Sequence, residues 1–499
     1  MGLNTPEIEL LGIAPEIALV IGALVILIVD AIIGDGRDKW HLWMLSTITL
    51  GLSIFLAAQA WGTNELHLGD MIAVDGFATF VKVTLAVFAL LTVWLSRGYL
   101  HRDGIEESEF YALLLFAVAG MMLMASAADL IVVFLALETF SLALYVLVGF
   151  RRTSLVGQES AMKYFLLGAF SSAFFLLGIA LVYGAIGSTQ MYGSAAEGAS
   201  AQGIATTLSS LPAGEFTLLV IATGFLIVGL GFKVAAVPFH MWTPDAYQGA
   251  PAPVTGFMAA ATKLAGFAAL IRLLDAILFP LREDWRPMVI GIAVLTMAVG
   301  SILAIVQEDL KRLLAYSSIA HAGFILTAIV ASNDRGVSGS LFYLATYGIT
   351  VLGAFAVIAF LGGQDERRTK VDDFRGLFYD SPLLAGALTL FLLSLAGVPA
   401  TVGFVGKLVV FGAAVEAGYS WLVVVGVIAS AVAAFFYLRV LVVRYMQERR
   451  EGAELVVPDS SALGRGAIAI AAVATVALGL YWSPLIDFAE RATFFFSVG

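Results

Sequence analysis

Long, nearly unbroken apolar runs alternate with short polar segments along the whole chain. Most runs hold about 20 residues, which as an α-helix crosses the roughly 30 Å hydrocarbon core of a bilayer. The runs lack the residue-by-residue alternation that is typical of outer-membrane barrel strands. The pattern predicts fourteen membrane spans, at about 12–34, 42–60, 75–97, 109–127, 129–150, 162–187, 216–243, 254–279, 288–306, 311–331, 338–362, 383–417, 419–446 and 464–484. The Gly/Ala/Ser-rich stretch 188–215 is predicted to be a loop, and no strand is evident.

Two of the predicted spans are longer than one straight helix needs, and each has a proline inside it. Pro238 lies in GLGFKVAAVPFHMW, and Pro399 lies in LSLAGVPATVGFVGK. Proline removes a backbone donor and breaks a helix, which a membrane protein tolerates only where protein or water satisfies the freed groups. Paired interrupted helices at matching positions indicate an internal repeat with a transport site.

The two broken helices occupy the same place in two sets of five spans. Spans four to eight, residues 109–279, and spans nine to thirteen, residues 288–446, each have the broken helix fourth. Because five is an odd number, two such copies have opposite orientations in the membrane. We therefore predict an all-α polytopic membrane protein, a single membrane domain over residues 1–499, that contains two inverted five-helix repeats.

Composition excludes several classes of protein. The chain has 60% hydrophobic and 13% charged residues, with a mean hydropathy of +0.96, whereas soluble domains have roughly 25% charged residues. With no cysteine and only His240 and His321 at membrane depth, we expect neither a metal site nor a redox cofactor in this chain. The net charge of −10 and the lack of a basic tail indicate no nucleic-acid partner.

Lysine and arginine predict the orientation of the chain. With the N-terminus outside, the inside segments hold seventeen basic residues: Arg37, Lys39, Arg97, Arg102, Arg151, Arg152, Lys163, Lys311, Arg312, Arg367, Arg368, Lys370, Arg375, Arg444, Arg449, Arg450 and Arg465. The outside segments hold four: Arg282, Arg286, Arg335 and Arg491. The positive-inside rule therefore places both termini outside, which is the periplasm in a bacterium.

Four charged residues lie deep inside predicted spans: Glu138, Lys233, Lys263 and Lys407. Each costs about 2.5–3.5 kcal/mol at the bilayer centre, so such residues face the interior, pair with one another or line water. One carboxylate neutralises at most one of the three lysines. Burial without a fixed partner disfavours the charged form of lysine, so such groups can take up and release protons. The pattern favours a proton relay over one buried, purely structural ion pair.

Two histidines extend the set of candidates. His321 shares a helix face with Ser317 and Ser318, and imidazole titrates near neutral pH, which favours a relay role. His240 follows the first break and is a further candidate, although it could equally cap freed carbonyls. Tyr343, Thr346 and Tyr347 are interpreted as helix contacts. Lys82, Arg272 and Arg439 lie nearer the ends of spans and are interpreted as snorkelling or paired structural residues.

The run GFKVAAVPFHMWTPDAYQGAPAPVTGFMAAATK (231–263) resembles the antiporter-like membrane subunits of respiratory complex I and of multisubunit cation/proton antiporters. The resemblance extends to LETFSLALYVLVG, which contains Glu138, and to the second broken helix with Lys407. Chain length, the lack of a long C-terminal lateral helix, and Lys407 in place of the glutamate of a sister subunit favour one subunit class of complex I.

The resemblance implies roles for individual residues. Glu138 and Lys233 match the family's glutamate–lysine pair, Lys263 its central lysine, and Lys407 its terminal lysine. It implies a proton-translocating subunit in a bacterial inner membrane, driven by electron transfer in partner subunits. Flavin, iron–sulfur clusters and quinone are then expected in those partners, with antiporter-like and small membrane subunits as neighbours. The alternative is a subunit of a sodium/proton antiporter that works without redox chemistry.

Overall fold

The computed structural model describes residues 10–34, 39–193, 203–210, 217–448 and 461–495. The described part contains twelve helices that are long and apolar enough to cross a membrane: Ala14–Ile33, Trp40–Gln59, Gly76–Asp103, Ser108–Ser126, Leu130–Val148, Leu155–Ile186, Ala252–Ile277, Phe279–Ile305, Leu310–Ala331, Asp334–Leu361, Ser420–Met446 and Ala462–Leu480. Numbered in chain order, these are spans 1–6, 8–11, 13 and 14. Arg37, Arg449, Arg450 and both termini, which entered the orientation prediction, lie outside the described residues.

The two remaining predicted spans are each divided into two helices. Span 7 consists of Thr217–Lys233 and Trp242–Gly249, and span 12 consists of Pro382–Ala396 and Val402–Glu416. The interruptions lie at the two predicted prolines. Twelve continuous helices and two broken ones thus account for the fourteen predicted spans, and the prediction of a polytopic helical fold is confirmed.

Burial separates central spans from peripheral ones. Span 8 is wholly enclosed by the rest of the chain, and spans 10 and 11 are almost wholly enclosed. Spans 1, 2, 13 and 14 bury about a third of their most apolar stretch. Many of their exposed residues are large and apolar, as expected of a helix surface in contact with lipid or with another membrane protein. The centre of the molecule is therefore the layer of spans 8, 10 and 11, with a broken helix packed against it on each side.

The segments between spans contain more regular structure than predicted. Two short strands, β1 (Glu65–His67) and β2 (Ile72–Val74), form an antiparallel hairpin, which corrects the expectation of no strands. A helix, Ile204–Ser210, lies in the stretch that was predicted to be a loop. Backbone groups that leave a span still need hydrogen-bond partners, and these local elements supply them. The remaining short helices are Leu10–Ile13, Gln364–Glu366, Val371–Phe374, Leu377–Asp380 and Ser483–Glu490.

Three charged residues near the ends of spans have structural partners, as the sequence indicated. Lys82 Nζ lies 2.7 Å from Glu16 Oε1, and the Arg272 guanidinium donates to both carboxylate oxygens of Asp75 at 2.8 and 2.9 Å. Arg439 donates to the backbone carbonyl of Ile305 at 2.6 Å, at the C-terminal end of span 9. Each cation is therefore paired or caps a helix end.

Candidate functional site

Lys233 ends the first half of span 7 and lies in a cage of aromatic rings. Its side chain is 1% exposed, and Nζ lies 5.4 Å from the ring centroids of Phe140, Tyr145, Tyr164 and Phe232. Within the described residues, this nitrogen has no hydrogen-bond partner. Cation–π attraction is its main direct stabilisation, so its charge is weakly held.

Glu138 lies beside this cage on span 5, half-buried, and its charge acts on Lys233. The ion pairs found within 4.0 Å among the described residues do not include Glu138 and Lys233, and Glu138 Oε1 is buried without a hydrogen-bond partner. The hydroxyls of Tyr145 and Tyr164 lie nearby and are also buried. The two charges therefore interact at a distance, across groups that can hold water between them.

Lys263 binds the backbone freed at the first helix break. Its Nζ donates to the carbonyl of Val234 at 2.8 Å, and Ala235, the next residue, adopts a left-handed conformation with φ +59°. A π-helical turn, Met258–Thr262, immediately precedes Lys263 in span 8, and such turns are frequent at functional sites. The freed carbonyl of Val234 and the Lys263 ammonium thus satisfy each other's need for a hydrogen-bond partner.

Lys407 binds the backbone freed at the second break. Its Nζ donates to the carbonyls of Leu395 at 3.1 Å and Ala396 at 2.8 Å, and to Ser430 Oγ at 2.7 Å. These carbonyls form the C-terminal end of the first half of span 12, where a cation is favoured by the helix dipole. Here too an alanine, Ala400, takes a left-handed conformation, with φ +69°.

His321 lies between the two breaks, on span 10. Its Nδ1 is 2.7 Å from Tyr343 OH, and its Nε2 is 3.3 Å from Tyr437 OH. Tyr437 also bonds Ser317, and the Tyr347 ring lies 4.9 Å from the imidazole. The charges of both Lys263 and Lys407 act on His321, so the imidazole lies within electrostatic reach of each.

A narrow cavity connects the histidine to the second break. It is lined by His321, Tyr343, Thr346, Tyr347, Thr350, Ser394, Leu395 and Gly403. Its volume of about 10 Å³ is close to the least space that holds one water. Leu395, one of the lining residues, is also the residue whose carbonyl accepts a hydrogen bond from Lys407.

Several of these hydrogen-bond partners were not predicted from the sequence. Tyr343 was interpreted as a helix contact, yet it bonds the imidazole. Ser430 and Tyr437 are seven residues apart on span 13, and therefore on one face, where they contact Lys407 and His321 respectively. A hydroxyl every seventh residue in an apolar span is the signal that could have indicated them.

His240 is placed differently from the other candidates. It is half-buried in the non-helical segment of span 7, with Nδ1 lacking a hydrogen-bond partner among the described residues. The neighbouring Pro238 is exposed, as is Pro399. The described contacts bring His240 to none of the three lysines, so His240 lies at the edge of the site. No group of three metal-ligating side chains occurs in the described residues.

Comparison with known proteins reveals one consistent likeness. The family described as the transmembrane protein of NADH:quinone oxidoreductase and Mrp antiporters matches residues 127–433. A protein named NADH-quinone oxidoreductase subunit N from Chloroflexus aggregans is 42% identical over 497 residues and covers 98% of both chains. One of the same name from Trichlorobacter lovleyi is 41% identical over 97% of both chains.

Solved structures agree with the sequence relatives. A chain of respiratory complex I from Thermus thermophilus, with bound aureothin, superposes with a TM-score of 0.78 at 34% identity, covering 95% of this chain and 99% of that one. A chain of the Mrp complex from Dietzia shares the fold, with a TM-score of 0.80 at 21% identity over 97% of both chains. The fold is therefore shared with chains of both complexes, and of these two chains the one from respiratory complex I has the higher identity.

Proposed function

Since the chain belongs to the family of antiporter-like membrane subunits that NADH:quinone oxidoreductase and Mrp antiporters share, we propose that it is the proton-translocating subunit N of an NADH–quinone oxidoreductase. Two relatives of that name are 42% and 41% identical to this chain and match it over nearly the whole length of both chains. It is then one subunit of an enzyme complex and uses the energy of electron transfer that takes place in other subunits. The subunit class favoured by length and by Lys407 is the class of these relatives.

The proposed relay runs from Glu138 through Lys233, Lys263 and His321 to Lys407. The observation that carries it is the pair of helix breaks, because each places a freed carbonyl against the ammonium of a buried lysine. A lysine with carbonyl acceptors can hold a proton, and His321 with two hydroxyl neighbours can pass one on. Ionised Glu138 favours the charged form of Lys233, so a change at Glu138 alters the proton affinity of the first lysine.

Glu138→Gln tests this proposal. The substitution keeps size and removes charge, so we expect normal complex content with strongly reduced NADH-driven proton uptake into inverted membrane vesicles. Glu416→Gln is the matched control, because Glu416 pairs with Arg335 at the surface, where such pairs contribute little. Normal proton uptake per electron in Glu138→Gln membranes would refute the role of Glu138.

The alternative is an antiporter subunit without redox chemistry. Purification in mild detergent separates the two, since the oxidoreductase should copurify with other antiporter-like and small membrane subunits. We propose that flavin, iron–sulfur clusters and quinone are bound by partner subunits. A purified complex without flavin and iron–sulfur absorbance, yet active in sodium/proton exchange, would favour the antiporter.

We propose a bacterial inner membrane as the location, with both termini in the periplasm. This proposal rests on the distribution of lysine and arginine between the segments that join the spans. A reporter that fluoresces only in the cytoplasm, fused after Gly499, should stay dark. Bright cells with correctly inserted protein would contradict the orientation.

The two sets of five spans, 109–279 and 288–446, are proposed to be inverted repeats. Each set has its broken helix fourth, and each break contains a left-handed alanine and a carbonyl that binds a lysine. Superposing spans 4–8 on spans 9–13 after a half-turn about an axis in the membrane plane should bring the breaks together. A best superposition that pairs the spans in another order would disprove the repeat.

A further inference from the structure

A buried ion pair between Lys311 and Glu366 lies between the relay residues and the membrane face that holds most of the basic residues. Glu366 lies in the connection between spans 11 and 12, yet its side chain is only 6% exposed. Its Oε2 is 2.7 Å from Lys311 Nζ, at the start of span 10. Its Oε1 accepts a hydrogen bond from the backbone N–H of Ala252 at 2.5 Å. This pair is not explained by the relay residues.

The pair lies at the junction between span 7 and span 8. Lys311 Nζ also donates to the carbonyl of Ala250 at 2.6 Å, just past the C-terminal end of the second half of span 7. Glu366 meets the N-terminal end of span 8 at Ala252. The cation thus faces a helix C-terminus and the anion faces a helix N-terminus, the favourable arrangement at both ends. Together the two side chains hold the end of span 7 and the start of span 8 in place.

A row of polar side chains leads from the pair to the histidine. Lys311, Ser318 and His321 lie on one face of span 10, by helical spacing. Ser318 neighbours the hydroxyls of Tyr247 and Tyr347. Ser318 Oγ and Tyr347 OH are buried, and Ser318 lies within hydrogen-bond reach of both tyrosine hydroxyls. Buried hydroxyls this close together can pass a proton directly or across a bridging water.

The charge of a second cation, Arg151, also acts on Glu366. Burial alone would raise the pKa of Glu366, but the charges of Lys311 and Arg151, with the hydrogen bonds from Lys311 and Ala252, hold it below its ordinary value. Arg151 bonds Asp103 Oδ2 at 2.6 Å, while its Nε is buried without a partner among the described residues. Glu366 is therefore bound to Lys311 and lies in the field of Arg151, whose Nε has no partner among the described residues.

We propose that the Lys311–Glu366 ion pair is the gate through which protons from the basic face reach His321. In the observed arrangement Glu366 holds Lys311, and the row of hydroxyls is shut off from that face. When the carboxylate moves from Lys311 to Arg151, the junction at Ala250–Ala252 opens, and water reaches Ser318 and the tyrosines. This gate rests on the proposed proton-translocating function, and it controls when protons from the basic face can enter the relay.

Glu366→Gln tests the gate by removing the charge and keeping an acceptor for Ala252. The readout is passive proton leak across inverted vesicles with electron transfer idle, followed by an entrapped pH dye after an acid pulse. We expect the leak per complex to rise about tenfold, which corresponds to a loss of roughly 1.4 kcal/mol in preference for the closed state. Lys311→Gln should raise the leak in the same way.

Arg151→Gln tests the second position of the carboxylate. Without the alternative cation the gate should stay shut, so we expect unchanged leak and reduced NADH-driven pumping. The matched control is Glu107→Gln, because Glu107 pairs with Lys39 on the same face, at 2.6 Å, with its side chain 51% exposed. This control should change neither quantity.

Three results would overturn the gate: a leak in Glu366→Gln equal to that of Glu107→Gln at normal complex content, a leak in Arg151→Gln as high as in Glu366→Gln, or failure of both Glu366→Gln and Lys311→Gln to assemble. The last would make the pair a structural fastening only. These results leave the relay itself untouched, since the relay is tested separately by substitutions of its own residues, such as Glu138→Gln.

Discussion

At both helix breaks a lysine binds the freed backbone carbonyls, but the lysine comes from a different place in each case. At the first break the freed carbonyl of Val234 is bound by Lys263, which comes from the next span. At the second break the carbonyls of Leu395 and Ala396 are bound by Lys407, from the second half of the same span. Lys233, the lysine carried by the first broken span, binds neither break carbonyls nor any other described acceptor.

This difference separates a responsive lysine from a firmly held one. Lys407 has three oxygen acceptors within 3.1 Å, and hydrogen bonds to a charged donor stabilise the charge. Lys233 has aromatic rings and the distant charge of Glu138. We infer that the proton on Lys233 is controlled by Glu138, whereas the proton on Lys407 is set by the local backbone. The first break is then the adjustable end of the relay and the second its anchored end.

The largest expected effect follows from removing the anchored end. Lys407→Met leaves the carbonyls of Leu395 and Ala396 without their donor, which costs about 1–3 kcal/mol for each buried group that stays unsatisfied. We expect proton pumping to be abolished and complex content to fall. Pumping is measured by dye quenching in vesicles, and content by native gel. The control Lys370→Met, at an exposed position, should change neither pumping nor complex content. Retained pumping in Lys407→Met would contradict the assignment of the second break as the anchored end of the relay.

The hydroxyl partners of His321 come next in size. Tyr343→Phe removes the 2.7 Å hydrogen bond to Nδ1, and we expect pumping to fall by about fivefold with normal assembly, since a neutral hydrogen bond contributes roughly 1 kcal/mol. Tyr445→Phe is a suitable control, because that hydroxyl bonds Thr389, outside the relay. Equal pumping in the two variants would remove His321 from the path between the breaks.

The two breaks also show which features of the site could be predicted from the sequence and which could not. Pro238 and Pro399 predicted both interruptions, because proline breaks a helix, and charges within apolar runs indicated the lysines. The acceptors were hidden, since the carbonyls of Val234 and Leu395 become free only through the geometry of each break. Ser430 and Tyr437 come from a different span than the groups they bind, so neither could be assigned before the helices were packed.

A smaller effect is expected at the serine that bonds Lys407. Ser430→Ala removes one of three acceptors and leaves two carbonyls, so we expect pumping to fall only about twofold, in keeping with the small net contribution of a single replaceable hydrogen bond. Initial rates of proton uptake at matched complex content would measure this. A loss as large as that of Lys407→Met would mean that the serine, and not the break, holds the lysine.

The smallest expected effect concerns pH at the gate. The pKa of Glu366 is lowered in the folded protein, so the stability that its ionised form contributes is present above the ordinary glutamate pKa of about 4.3. That stability is lost only as pH falls through the lowered value. We therefore expect the idle proton leak of the native complex, corrected for driving force, to stay flat between about pH 5 and 8. A step in the leak near pH 6 to 7 would assign the gate to a histidine.

The most direct measurement compares Lys263→Arg with Lys263→Ala, recording protons pumped per NADH at equal complex content. Arginine can still donate to the carbonyl of Val234, which preserves the first break, but its guanidinium does not release a proton in the physiological range. A relay therefore predicts that both variants oxidise NADH with little or no pumping, and that only Lys263→Ala also loses stability. Normal pumping by Lys263→Arg would contradict the relay, because Lys263 would then serve only to cap the break.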